Sequence, residues 1–252
     1  MRRPLHASGA NARPLAARGM STALATLGAI ALITGTAHAR TTASRASRTS
    51  EVALLSQRHV LLSPQGEPLS GDRAISAQRP ITGVQTALPV IGHTATLEGV
   101  QLLHVLLPGR PNGSRGWIAR AGTTLAKTSW RIVIRTARRR VLVFHHGRLA
   151  RTLIAIVGKP STPTPHGLFF VEESVRMPPG STGGPYALAL SAHSSVLQEF
   201  EGGSGQVAIH GLANLTGSLG TASSHGCIRL DDQSIRWMAA HISPGVPVRI
   251  TR

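Results

Sequence analysis

The chain predicts a mainly β protein with one packed helix, and three observations carry that expectation. Its 252 residues include 27 glycines and 16 prolines, and such dense turn signals favour short strands over long helices. Hydrophobic residues make up 41% but aromatics only 3%, so valine, isoleucine, leucine and alanine must build the core. A helical period with a stop signal occurs once in the body of the chain, at Asp232 to His241. There Asp231 is a plausible N-cap, Ile235, Met238 and Ala239 share a face, and Pro244-Gly245 ends the run.

Residues 1–39 read as an export signal. Arg2, Arg3, Arg13 and Arg18 form a positive start without an acid, Leu24 to Ile33 is an apolar run of ten, and Ala37-His38-Ala39 fits a small-x-small cleavage site. Ten apolar residues are short for a bilayer span, and an uncleaved anchor is the alternative. Either way the folded part is expected outside the cytoplasm. Removing the four arginines from the formal charge of +17 leaves +13, which attracts polyanions. Export points to an anionic envelope as the partner and away from nucleic acid.

Residues 40–80 are a linker that is rich in Ser, Thr, Ala and Arg at its start and unassigned beyond. Residues 81–125 read as a small β domain. Thr86 to Val90, Val100 to Leu107 and Trp117 to Ala119 are short strand-like runs separated by Pro108-Gly109 and Pro111-Asn112-Gly113. From 129 to 252 the pattern sharpens. Arg131 to Thr136 alternates, and Val141 to Phe144, His146-Gly147 and Leu149 to Val157 make a hairpin. Leu168 to Val171 is a strand, Val207 to Ile209 leads into His210, and Val246 to Ile250 closes the chain. His145 and His146 sit at a turn and read as solvent-exposed. Arg138-Arg139-Arg140 reads as a solvated hairpin edge, with steering of an anionic polymer as the alternative.

The chemistry concentrates at Ser224-His225-Gly226-Cys227-Ile228-Arg229. Cys227 is the only cysteine, so no internal disulfide can form, and a free thiol in an oxidising compartment needs a use or deep burial. An ordinary thiol is only about 3% ionised at neutral pH, whereas one paired with histidine reaches roughly 90%. His210 stands 17 residues earlier at a strand end and is the candidate base. Gly226 leaves room for backbone N–H groups to face a developing oxyanion, and the N–H groups of Gly226 and Cys227 are the expected donors. The bland alternative is a small buried hydrophobe. Metal ligation by His210, His225 and Cys227 is another alternative, but the spacing matches no familiar zinc signature.

These residues resemble the L,D-transpeptidase catalytic domain, also called the YkuD domain. The matching pieces are Ile209-His210-Gly211, Ser224 to Leu230, and the strand, Pro/Thr-rich loop and strand from Val157 to Phe169. More weakly, Leu107 to Ile118 resembles the end of a bacterial SH3-like module. The resemblance implies a β-sandwich catalytic domain at 129–252, preceded by an SH3-like unit at 81–125. It implies Cys227 as nucleophile and His210 as base, with His225, Ser224 and Gly226 shaping the site. The Gly211 carbonyl would orient the base. Arg229 would be either a strut or a contact for a substrate carboxylate. A Gly/Pro-rich flap would span Met177 to Tyr186, and Tyr186 and His193 are candidate cleft residues. The implied activity is peptidoglycan 3→3 cross-linking on stem peptides with no cofactor. The alternatives are an L,D-carboxypeptidase that uses water and a non-catalytic wall-binding protein. The oligomeric state is left open.

Overall fold

The computed structural model describes residues 49–71, 73–199 and 203–252. The expected export signal and residues 40–48 lie outside them. The first sheet is built from β1 (Ser50–Leu55), then, after the short pair β2 (His59–Val60) and β3 (Ala74–Ile75), from β4 (Ala87–Ala95), β5 (Gln101–Leu106), β6 (Arg115–Ala119) and β7 (Thr123–Thr128). Its spatial order is β6-β5-β4-β1-β7. The sheet therefore spans 50–128 and not 81–125. β1 comes from the stretch left unassigned by sequence and sits between β4 and β7, with Ala53 opposite both Leu88 and Leu125. Val52 and Ala53 are both buried although consecutive, so the run lacks the alternation that marks a half-buried strand.

The second sheet has eight strands. In chain order the elements are β8 (Trp130–Arg135), β9 (Arg140–His145), β10 (Arg148–Ile154), β11 (Val157–Gly158), β12 (Gly167–Arg176), β13 (Tyr186–His193), β14 (Gln206–His210), β15 (Ala222–Ser224), β16 (Ile228–Arg229), α1 (Asp232–His241) and β17 (Pro247–Thr251). The order is β10-β9-β8-β17-β12-β13-β14-β16, and β11 and β15 form a separate pair. On β8 and β9 the pleat sends Ile132, Ile134, Val141 and Val143 into the core. The β9–β10 turn has φ of 50° at His146 and 77° at Gly147, the two positive values that a type I′ hairpin requires.

The helix starts where its cap dictates. Asp231 Oδ1 accepts from Ser234 N at 2.8 Å, and Ser234 Oγ donates to Asp231 Oδ2 at 2.7 Å. Ile235 and Met238 face the core, while Ala239 is only half-buried. Among the described residues no helix is long and apolar enough to cross a membrane.

The two sheets are not separate beads. Residues Ser44–Arg252 cluster as one unit, and Phe170 of β12 packs in the same apolar cluster as Leu88 and Val105 of the first sheet. Buried Glu172 and Glu173 of β12 meet Arg79: an ion pair joins Arg79 Nη2 to Glu172, and Arg79 Nε lies 3.9 Å from Glu173 Oε1. Thr82 N and Oγ1 donate to Glu173 Oε2 at 2.8 and 2.7 Å. Burial lowers the Arg79 pKa, and Glu173 works against that effect.

Candidate active site

Cys227 lies half-buried at the entrance to β16. β16 runs parallel to β14, with Ile209 opposite Ile228 and His210 opposite Arg229. This register brings the thiol against β14, where Ala208 N donates to Cys227 Sγ at 3.5 Å. Ala208 and His210 are two residues apart on one strand and share a face. The thiol and the imidazole consequently line one cavity of about 420 Å³, together with His225 and Arg229.

The tautomer of His210 follows from its partner. Its Nδ1 lies 2.8 Å from Gly211 O; a carbonyl only accepts, so Nδ1 carries the proton and Nε2 is the basic nitrogen. Gly211 is forced at its position, because a Cβ there would lie 1.8 Å from Gly184 O. Gly211 N donates to Gly183 O, and Gly183 N donates to Ala213 O, both at 2.8 Å. A Cβ on Gly183 would come within 2.8 Å of His210 Nδ1. The segment expected as a flap is thus strapped across the imidazole.

Ser224 is fully buried and works as a clamp. Its Oγ donates to Cys227 O at 2.6 Å and accepts from Gly226 N at 3.2 Å. That second bond corrects an expectation: the Gly226 N–H faces Ser224 and is not offered to an oxyanion. The Pro/Thr-rich loop supports the same turn from behind. Thr164 Oγ1 accepts from Gly158 N at 2.9 Å and donates to Gly226 O at 2.8 Å. Thr162 Oγ1 donates to Ser224 O at 3.3 Å. Both threonines are buried. Sequence reasoning quoted this loop but gave it no task, and its alternating Pro-Thr pattern was the available signal.

His225 is exposed on the cavity wall, with Lys159 Nζ 3.5 Å from its Nε2. Arg229 acts as a strut as well as lining the cavity. Its Nη1 donates to Thr216 O at 3.1 Å, and its backbone exchanges two 2.9 Å bonds with Ile156. The other two candidates are not brought to the cleft. Tyr186 packs against the main core and borders a neighbouring depression beside Asp232 and Arg236. His193 is buried at the far end of β13, about 20 Å along the strand from Ala187, which pairs with His210. Its backbone exchanges bonds with the Asn112 side chain at 2.7 and 2.8 Å. Burial, then Arg110, lowers the His193 pKa, opposed by a backbone bond to Ser191. Met177 and Gly183 of the expected flap segment line the cavity, and Leu215 and Thr216 do so unforeseen.

Residues 129–250 match the family model of the YkuD L,D-transpeptidase catalytic domain. A YkuD protein of Bacillus licheniformis is 32% identical over 123 residues, which cover 48% of this chain and 66% of that protein. L,D-transpeptidase 1 of Mycobacterium tuberculosis is 33% identical over 116 residues, covering 43% and 45%. The chain thus spans from under half to about two thirds of the length of these relatives. Among solved structures, an L,D-transpeptidase from Mycobacterium tuberculosis overlays with a TM-score of 0.43 at 16% identity, covering 66% of this chain and 90% of that one. At that score the overlay adds no weight to the family match. Through residues 129–250 the chain carries an L,D-transpeptidase catalytic domain of the YkuD family.

Proposed function

We propose that the chain is an exported peptidoglycan L,D-transpeptidase that works through a thioester on Cys227. The observation that supports this most is the shared cavity, where the thiol meets a histidine whose tautomer is fixed by Gly211 O. In the first step His210 Nε2 takes the thiol proton, and sulfur bonds to the carbonyl carbon of the third residue of a tetrapeptide stem. The Cys227 N–H supports the resulting oxyanion. The bond to D-alanine then breaks, and the imidazolium returns its proton to the leaving nitrogen. In the second step the side-chain amine of another stem attacks the thioester, His210 takes the amine proton, and sulfur leaves and is reprotonated. A 3→3 cross-link results. The steps use no cofactor.

Arg229 lines the cavity and Lys159 Nζ lies 3.5 Å from Nε2 of His225 on its wall, a positive setting that suits a stem ending in a carboxylate. The test is release of D-alanine from tetrapeptide stems, with products resolved by mass. Wild type should give cross-linked dimers and Cys227→Ala should give neither product. Trimmed tripeptides without dimers would assign water as the acceptor, and release by Cys227→Ala would end the proposal. Intact mass after mixing with a carbapenem should show one adduct, lost in the same variant.

A further inference from the structure

Between Glu98 and Glu172 the chain contains no acidic residue, while it carries ten arginines and two lysines. Five of those arginines lie on the β8–β9 hairpin. At its tip Arg135, Arg138, Arg139 and Arg140 line one open groove of about 560 Å³, with Leu142 and Thr152. None of Arg135, Arg138, Arg139 and Arg140 has a carboxylate partner among the described residues.

Three features are unfavourable for an edge that is merely solvated. Arg135 and Arg140 stand directly opposite one another across the strand pair, where like charges weaken the pairing. Arg139 has a φ of 49°, a left-handed conformation that glycine or asparagine adopts at lower cost. Its Nη1 donates to Ala137 O at 2.8 Å, while its Nε is buried with no hydrogen-bond partner.

We propose that this groove binds a linear polyol-phosphate polymer of the cell envelope. Guanidinium forks match phosphate oxygens two at a time. Four of them along an open groove suit the repeated charges of a chain better than a single phosphate. No aromatic ring lines the groove, so it offers no stacking platform for the bases of a single-stranded nucleic acid. The groove is distinct from the cysteine cavity but adjoins it. The loop 215–220 stands between them, with Leu215 and Thr216 on one side and Gly220 on the other. A polymer held there keeps the wall beside the cleft and raises the local concentration of stems. The choice of an envelope polymer over nucleic acid rests on the proposed function; the binding itself does not.

The test is fluorescence polarisation of the full chain with a labelled glycerol-phosphate 12-mer across 25–200 mM salt. Four phosphate contacts at roughly 0.7 each give a log–log slope of about −3. The variant R138Q/R140Q should bind at least about tenfold more weakly, with the slope halved. R73Q/R115Q, which removes the same charge elsewhere, should bind like wild type. Arg139→Gly should raise Tm, by relieving the left-handed residue, and still lose affinity. Equal loss in both double variants would reduce the effect to diffuse charge and overturn the site. So would tighter binding of single-stranded DNA of equal charge through the same arginines, or no binding of the 12-mer at 25 mM salt. D-alanine release from a soluble stem should be unchanged in R138Q/R140Q. Its absence in wild type would count against the cysteine chemistry and leave the groove standing.

Discussion

Replacing Thr164 by valine keeps its shape and removes one hydroxyl, yet that hydroxyl serves two buried backbone groups. It accepts from Gly158 N at 2.9 Å and donates to Gly226 O at 2.8 Å, on a side chain that is 3% exposed. Leaving a buried donor and a buried acceptor unpaired costs about 1–3 kcal/mol each, so the variant should lose roughly 2–6 kcal/mol. Against a typical stability of about 5–15 kcal/mol this is a large fraction, and Tm should fall by about 4–24 °C for a chain of this size. The loss falls where it affects chemistry, because the Gly226 carbonyl belongs to the residue just before the sulfur. With Gly226 released, the Ser224 clamp and the Thr162 bond to Ser224 O are left to hold the turn, and Cys227 should sample positions away from the imidazole. The assay is the rate of labelling of the chain's single thiol by a small reagent at mildly acidic pH, followed beside a thermal melt. Thr164→Val should label about tenfold or more slowly than wild type, and Thr164→Ser should recover most of that loss. A valine variant with unchanged Tm and wild-type labelling would refute the argument that the Pro/Thr-rich loop holds the cysteine turn.

Gly211→Ala should be severely destabilised, by about 3 kcal/mol or more as for other overpacked sites, because its new Cβ meets Gly184 backbone at 1.8 Å; a denaturant midpoint equal to wild type would show that the strap yields freely. Arg79→Met leaves the buried Glu172–Glu173 pair without its cation and should cost about 3–5 kcal/mol; a urea midpoint equal to that of wild type would show that the pair does not need it. The imidazole of His193 is held below its ordinary pKa by burial, so as pH falls through the ordinary histidine range the unfolded chain takes up a proton that the folded chain refuses, and stability drops. His193→Gln should show a smaller difference between urea midpoints at pH 8 and pH 5 than wild type, and an equal difference would place that pH dependence elsewhere.

The parts of the fold that could be read from sequence are those where one face is wet. β8 and β9 alternate because their outer faces meet solvent, and His146-Gly147 supplied the turn between β9 and β10. β13 escaped because its inner run, from Leu188 to His193, is buried throughout; a central strand covered on both faces has no period to detect. β1 was hidden for a related reason, with Val52 against Gly245 of the catalytic half and Ala53 inside its own sheet. At the site, Cys227, His210, His225 and Arg229 were legible because a thiol, a base and a glycine turn form a short local grammar. The misplacement of His193 shows the limit of that grammar. Its position depends on the length of β13 and on Asn112, eighty-one residues away, and no local pattern reports either.

The same long-range contacts give the first sheet a role that a tethered module would not have. β13 is fixed at both ends: Ala187 pairs with His210 at one, and Asn112 grips His193 at the other, where Arg110 also donates to Ser194 O at 2.8 Å. Its neighbour β12 is tied through Glu172 and Glu173 to Arg79 and Thr82. β12 and β13 together carry the strap that lies on the imidazole, since the chain between Arg176 and Tyr186 is that strap. Its register over His210 is therefore set in part by side chains of the first sheet and the loops between its strands. The five-stranded sheet is accordingly part of the frame that holds the strap over His210, although its strands lie outside the matched residues 129–250.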